Sequence, residues 1–578
     1  MSHRGTWRSI RILAAASLLL TACDSGQSPP ARPDAPADSG SGGSTLLPID
    51  LVYVCGNKFM VTNANRTAID VTFRVTGTDE AGNLSLSPGP GGDPGYSETE
   101  LTTSQTGTVE LYHDDEKIAE RRNDGLACAT PPDPDSIPDG VGAQSGRWTE
   151  PFDWPVVAIH LNLLPDGKVL SWGYGGQPQV WNPATGVFTE VPEPVELFCA
   201  GHSLLADGRV LVTGGHITDD HGLPDVNFFT PGTQTWTRST PMLHGRWYPT
   251  NTTLASGAVV ILAGRDEQGQ EVDVPEVWEA GSIRRLTGAA QVLPYYPRAF
   301  LAPNGQVFYA GERRRSQYLD PSGTGRWTPV ANRLYRGPRD YGPAVMYDEG
   351  KILYAGGGRT TNTAETIDLT QANPVWQWTG SMAFPRRHHN GTVLPTGEVL
   401  VTGGTSGTAF DDQTRAVHAA EIWNPGTGVW TTLASNVITR TYHGTAILLP
   451  DARVLHAGGG SRTTPNQLNA EIFSPPYLFK GSRPTIASAP AEVGYGASFA
   501  VETPEADAIA AVSFIRLGST THAFDMNQRF QRLVFSHGPA GLTVTAPADP
   551  NRTPPGHYML FLLNGSGVPS VARIVRIG

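Results

Sequence analysis

Charge is scarce in this chain. Acidic and basic residues together make up only 17% of it, which excludes an architecture of long, solvated surface helices. Long apolar runs are scarcer still: beyond a short stretch near the N-terminus, nothing reads as a membrane span. Basic clustering is missing too. The formal net charge is −12, and Arg313, Arg314 and Arg315 form a short loop run, so no nucleic-acid partner is expected. What is abundant is glycine (66) and proline (48), the composition of many short strands joined by tight turns. At 578 residues there is room for a large core and more than one domain.

The N-terminus reads as a targeting segment. Arg4, Arg8 and Arg11 precede the apolar stretch from Ile12 to Leu20, which is short enough for a signal peptide and too short for a span. Leu20-Thr21-Ala22-Cys23 resembles a bacterial lipobox. That resemblance implies residues 1–22 as a lipoprotein signal peptide, Cys23 as the lipidated first residue, and membrane attachment through this anchor alone. The protein is then exported, as a bacterial envelope lipoprotein or a secreted form. An ordinary signal peptide with a chance cysteine is the other reading. Residues 23–46, rich in Ser, Pro, Gly and Asp, read as a flexible tether. An exported protein meets an oxidising compartment, where Cys55 and Cys128 could pair across the strand-rich segment between them. Cys199 is then left over and needs an explanation.

One pattern recurs through the middle of the chain: a Gly turn, an apolar β-rich run, then one or two glycines. It begins at Asp166-Gly167, Asp207-Gly208, Ser256-Gly257, Asn304-Gly305, Glu349-Gly350, Thr396-Gly397 and Asp451-Ala452. The spacing and the Trp181-Asn182-Pro183 and Trp423-Asn424-Pro425 strands are those of kelch-type blades. The expected fold is therefore all-β: a seven-bladed β-propeller over 145–480, whose radial repetition leaves only short protected edges. Residues 47–130 alternate apolar and polar and predict a small β-sandwich. Residues 481–578 predict a second, immunoglobulin-like sandwich.

The repeat locates a candidate site. Nine residues before the second residue of each turn stand Cys199, Tyr248, Tyr296, Tyr341, His388 and His443, while the first repeat has Ala158. If the blades share geometry, these side chains converge at one mouth of the central channel. Packing accounts for Tyr296, Tyr341 and His388. It accounts less well for Cys199 and His443, where Val or Leu would serve. Tyr442 adds a further oxygen donor, yet neighbours on a regular strand face opposite ways, so Tyr442 and His443 can act together only where the strand is irregular. Phenol oxygen and imidazole nitrogen with an open position suit Cu(II) better than a sulfur-rich structural zinc site. The propeller histidines His202, His216, His221, His389, His418 and His456 are expected at turns or on the surface.

Arg440-Thr441-Tyr442-His443 with Leu448-Leu449-Pro450-Asp451, Phe198-Cys199-Ala200-Gly201, Arg246-Trp247-Tyr248-Pro249 and, late in the chain, Thr521-His522 with Gln528-Arg529 resemble the galactose oxidase and glyoxal oxidase family. The resemblance covers about residues 145–578. It implies one copper ion held by Tyr248, Tyr442, His443 and His522, with Tyr248 cross-linked to Cys199 by a thioether and carrying a radical. It also implies the reaction: Tyr442 takes the proton of a primary alcohol or hydrated aldehyde, the Tyr248 radical takes a hydrogen atom from carbon, and the second electron passes to copper. Dioxygen restores the site and leaves as hydrogen peroxide. The partners are thus a small substrate and O2, and the protein is expected to be a monomer.

Phe410 and Arg298 are the weaker, substrate-side candidates; the other readings are a loop anchor for Phe410 and, favoured over lining the site, a structural salt bridge for Arg298. In galactose oxidase a tryptophan covers the cross-linked ring; the matching place here is Gly264-Arg265-Asp266, with no aromatic. The N-terminal domain does not match that family's sugar-binding domain, so small aldehydes or simple primary alcohols are expected over a free hexose. The rival reading is a non-catalytic propeller lipoprotein that binds glycan or protein.

Overall fold

The computed structural model describes residues 49–123, apart from 56, 64, 66 and 89–96, and residues 142–578, apart from 462, 463 and 540. The readings of 1–46, including Cys23, and the Cys55–Cys128 pairing lie outside the described residues. Strands dominate, and no helix among the described residues is long and apolar enough to cross a membrane.

Between residues 147 and 474 the sheets follow one plan. Apart from the two-stranded pair His216–Thr218 and His221–Gly222, each is built on an antiparallel meander such as Thr250–Thr253, Val259–Leu262, Glu276–Glu279 and Ser282–Arg285, paired in that order. The Gly turn of the sequence repeat joins the first strand to the second, and Gly208 and Gly257, at φ 88° and 85°, take a conformation that favours glycine. First strands of most neighbouring sheets adjoin, and the last of them, Gly444–Leu448, adjoins Val157–Leu163, the earliest. The ring is tied shut by Arg147–Trp148, which pairs with the late strand Asn469–Ser474. Burial follows position: first and second strands such as Thr250–Thr253 and Val259–Leu262 are wholly buried, while outer strands such as Thr235–Arg238 are mostly exposed.

Two further strand assemblies flank the ring. Before it, the sheet of Ile49–Cys55, Lys58–Asn63 and Ser97–Thr102 shares an apolar core, including Phe59, Val61, Val71 and Leu111, with a sheet built on Ile69–Val75 and Thr108–His113. After it, Ile509–Arg516 and Gly556–Asn564 centre a sheet that shares a core with the strands Ser498–Glu502, Gly541–Thr545 and Val534–Gly538. One hairpin leaves this last assembly. Ser519–Thr521 pairs with Val157–Leu163, His160 opposite Thr521, and so joins the ring from the inside.

Candidate metal centre

The six chemistry-bearing positions of the repeat do not lie on the first strands, as a shared strand position would require. They stand just before them, in the left-handed region: φ is 63° at Cys199, 66° at Tyr248, 45° at Tyr296, 53° at Tyr341, 60° at His388 and 64° at His443. Each such residue costs on the order of 1 kcal/mol, so a ring of them has to be held by its surroundings. Part of the hold is main-chain. Tyr248 N–H donates to the Cys199 carbonyl (2.8 Å), Tyr296 N–H to that of Tyr248 (3.0 Å), and His388 N–H to that of Tyr341 (2.8 Å). Part is a set of buried ion pairs: Arg246–Glu276 (2.9 Å), Arg339–Glu365 (2.9 Å), Arg386–Glu421 (2.6 Å) and Arg440–Glu471 (3.2 Å). Their arginines stand two residues before Tyr248, Tyr341, His388 and Tyr442. This Arg-x-Tyr/His spacing was visible in the sequence, and only the structure gives it a purpose.

The irregular entry to the strand also brings Tyr442 and His443 to the same side. With His443 at positive φ, the two rings lie on the same side and stack at 3.8 Å between centroids. Tyr442 is fixed from outside by Asp411, whose Oδ1 accepts from the Tyr442 N–H (3.2 Å) and the Thr441 hydroxyl (2.5 Å). Sequence reasoning missed Asp411, although it directly follows Phe410.

His522 comes from the inserted hairpin. Thr521 pairs with Phe524, which leaves His522 and Ala523 as a two-residue loop with φ of 46° and 63°, the requirement of a type I′ turn. The hairpin pairs with the sheet whose repeat position is Ala158, so the one sheet with no Cys, Tyr or His at that position is the one that receives His522.

Donor atoms converge. Tyr248 Oη is 2.8 Å from Tyr442 Oη and 3.1 Å from His522 Nε2, and the His443 and His522 rings are 4.9 Å apart. Two donors each about 2.1 Å from one ion, at right angles, would stand about 3 Å apart, so these spacings fit a shared metal. The tautomers fit as well. The Thr521 hydroxyl donates to the Ile159 carbonyl (2.9 Å), so it accepts from His522 Nδ1–H (2.6 Å) and leaves the Nε2 lone pair facing the site. His443 Nδ1–H donates to the Gly460 carbonyl (2.7 Å), with the same consequence. Burial, reinforced by His443 and His160, holds His522 well below its ordinary pKa, so the ring is neutral. Cys199 is fully buried, one main-chain hydrogen bond from Tyr248.

The other candidates divide. Phe410 packs on Tyr442 (4.9 Å), His388 (4.8 Å) and Tyr341 (5.3 Å), beneath the Arg387 guanidinium. Arg298 does not line the site. It is 1% exposed, and its three guanidinium nitrogens donate to the carbonyls of Gly342, Tyr296 and His522, which braces the hairpin. Tyr296 stacks on His522 (4.7 Å). Although no aromatic follows Gly264, the Tyr248 ring is flanked by Trp247 (4.0 Å) and Tyr295 (5.4 Å). Of the histidines expected at turns or on the surface, His202, His216, His389 and His456 are buried.

Fold and site together define an all-β protein with a buried centre of phenol and imidazole donors. Comparison with known proteins agrees. The glyoxal oxidase N-terminus family model matches residues 349–477, and the galactose oxidase-like early set domain matches 483–577. A galactose oxidase of Gibberella zeae is 30% identical over 75% of this chain and 70% of its own. The aldehyde oxidase GLOX of Vitis pseudoreticulata is 30% identical over 66% of this chain and 82% of its own. A fungal alcohol oxidase of the AA5 family, solved in complex with copper, superposes with a TM-score of 0.69 at 28% identity, covering 75% of this chain and all of that one. The chain belongs to the galactose oxidase and glyoxal oxidase family.

Proposed function

We propose that this protein is a copper-radical oxidase that converts a primary alcohol or aldehyde, with O2, to the aldehyde or acid and hydrogen peroxide. The observation that carries the reading is the convergence of Tyr442 Oη (2.8 Å) and His522 Nε2 (3.1 Å) on Tyr248 Oη, with both imidazoles presenting Nε2. Tyr248, Tyr442, His443 and His522 hold copper, which supplies a one-electron centre and a position for the substrate oxygen. Cys199 bonds to the Tyr248 ring as a thioether, and Tyr248 carries the radical.

Within that frame the protein's own groups have separate tasks. Tyr442 accepts the substrate O–H proton, held in place by Asp411 through its backbone N–H. The Tyr248 ring takes the hydrogen atom from carbon. Phe410 with Tyr341 and His388 forms an apolar and aromatic wall on the Tyr442 side, which suits a small aldehyde or simple primary alcohol. The sheets of 147–474 are the blades of a seven-bladed propeller, the flanking assemblies are sandwiches, and the leader directs export. The rival binding-module reading is not favoured, because glycan or protein recognition needs no buried set of metal donors.

The test is peroxide release from a panel of alcohols and aldehydes by copper-loaded protein, together with peptide mass analysis. Expected are turnover on at least one small substrate and a joined Cys199–Tyr248 peptide lacking two hydrogens. An unmodified Cys199 after copper and oxygen treatment overturns the cross-link, and absence of tight copper binding overturns the oxidase.

A further inference from the structure

Tyr248 is 1% exposed, so an oxidant in solution cannot touch the ring that is to carry the radical. Tyr295 can be reached. It is half-buried, its ring packs on Tyr248 at 5.4 Å, and its hydroxyl donates to the Asp220 carboxylate at 2.7 Å. Asp220 is itself partly exposed, at 33%, and pairs with Arg265 at 3.4 Å. Arg265 in turn lies over the Tyr295 ring at 5.7 Å. Shielding Tyr248 would need only an aromatic ring; the hydroxyl and its carboxylate add something more. A phenol gives up an electron readily only if its proton has somewhere to go, and a carboxylate at this distance is a positioned base. Trp247 also packs on Tyr248, but it is 1% exposed and its indole N–H donates to His216, itself buried.

We propose that Tyr295 and Asp220 form a redox port through which one-electron oxidants in solution reach Tyr248. The inference rests on the radical reading of Tyr248 given above. In the first step the oxidant takes one electron from Tyr295 while the phenol proton moves to Asp220. In the second, the Tyr248 phenolate gives one electron to the Tyr295 radical and the proton returns from Asp220. Tyr295 and Asp220 end unchanged. Tyr248 has lost one electron, the oxidant has gained one, and no proton is released.

The experiment uses the full chain, copper-loaded and cross-linked, reduced so that Tyr248 is closed-shell and then mixed with ferricyanide. The growth of the phenoxyl optical band gives the activation rate. Tyr295→Phe keeps the ring and removes the proton, and a positioned base contributes about 100-fold or more, so the rate should fall at least about tenfold. Asp220→Asn should slow activation likewise, and Tyr295→Trp, which is itself oxidisable, should recover part of the loss. Activation of Tyr295→Phe within about twofold of the parent overturns the port, because direct transfer or Trp247 then suffices. Slow Tyr295→Phe beside an unaffected Asp220→Asn overturns the proton-coupled step. A parent protein with no joined Cys199–Tyr248 peptide and no radical band overturns the radical reading, and the port with it.

Discussion

Replacing Thr521 by Val removes one hydroxyl and almost no volume, and it tests the logic of the centre directly. The hydroxyl bridges the Ile159 carbonyl (2.9 Å) and His522 Nδ1 (2.6 Å) in a fully buried position. Without it, the buried Nδ1–H and the carbonyl each lose a partner, at about 1–3 kcal/mol for an unsatisfied buried group. The ring can then turn or take the other tautomer, and the Nε2 lone pair is no longer aimed at Tyr248. Outer partners of ligating histidines are worth about 10- to 100-fold in metal affinity. The expected result is a copper Kd weaker by that factor, or about 1.4–2.7 kcal/mol. Competition with a chromophoric chelator measures it. Thr521→Ser, which keeps the oxygen, should stay near the parent. If Thr521→Val binds copper within about twofold of the parent, or Thr521→Ser loses as much, the tautomer argument is refuted.

Glu471→Gln leaves the Arg440 guanidinium buried without its charge partner and should cost about 3–5 kcal/mol in denaturant unfolding; a loss under about 1 kcal/mol would show that the pair is dispensable. Ala523→Gly should stabilise by about 1 kcal/mol, since Ala523 sits at φ 63° where glycine is unstrained; a lower midpoint would contradict the type I′ reading. The metal-free protein should lose stability in acid. Burial depresses His160, His389, His456 and His522 below the ordinary imidazole value, and His202 down to about 3. The unfolded chain therefore binds protons that the folded one refuses as pH falls below about 6.5, and each such histidine costs about 1.4 kcal/mol per pH unit. Denaturation midpoints between pH 8 and pH 5 test this, and a midpoint flat below about 6.5 refutes it.

The sequence determined more of the site than of its supports. A repeat forces equivalent residues to equivalent places, so laying the turns over one another gave six candidate positions, and motif likeness picked Cys199, Tyr248 and His443 from among them. Tyr442 and His522 came from motif likeness, because neither is a repeat position. The left-handed backbone was not legible, since Tyr, His and Cys do not announce positive φ as glycine does. That backbone is what lets Tyr442 and His443 face the same way. For Arg298 a structural role was legible but its partners were not: an arginine's partners can be carbonyls from anywhere in the fold, and here they belong to Gly342, Tyr296 and His522.

By itself, then, the sequence determined an all-β chain of repeats, the inventory of phenol, thiol and imidazole groups, and their order. Tertiary structure alone decided that His522, more than 70 residues from His443, arrives through a hairpin at the sheet whose repeat position is Ala158. It also decided that Thr521 and Gly460 fix which nitrogen faces the site. Local sequence sets backbone preference and residue chemistry, but the direction of a lone pair depends on which distant group holds the opposite side of the ring.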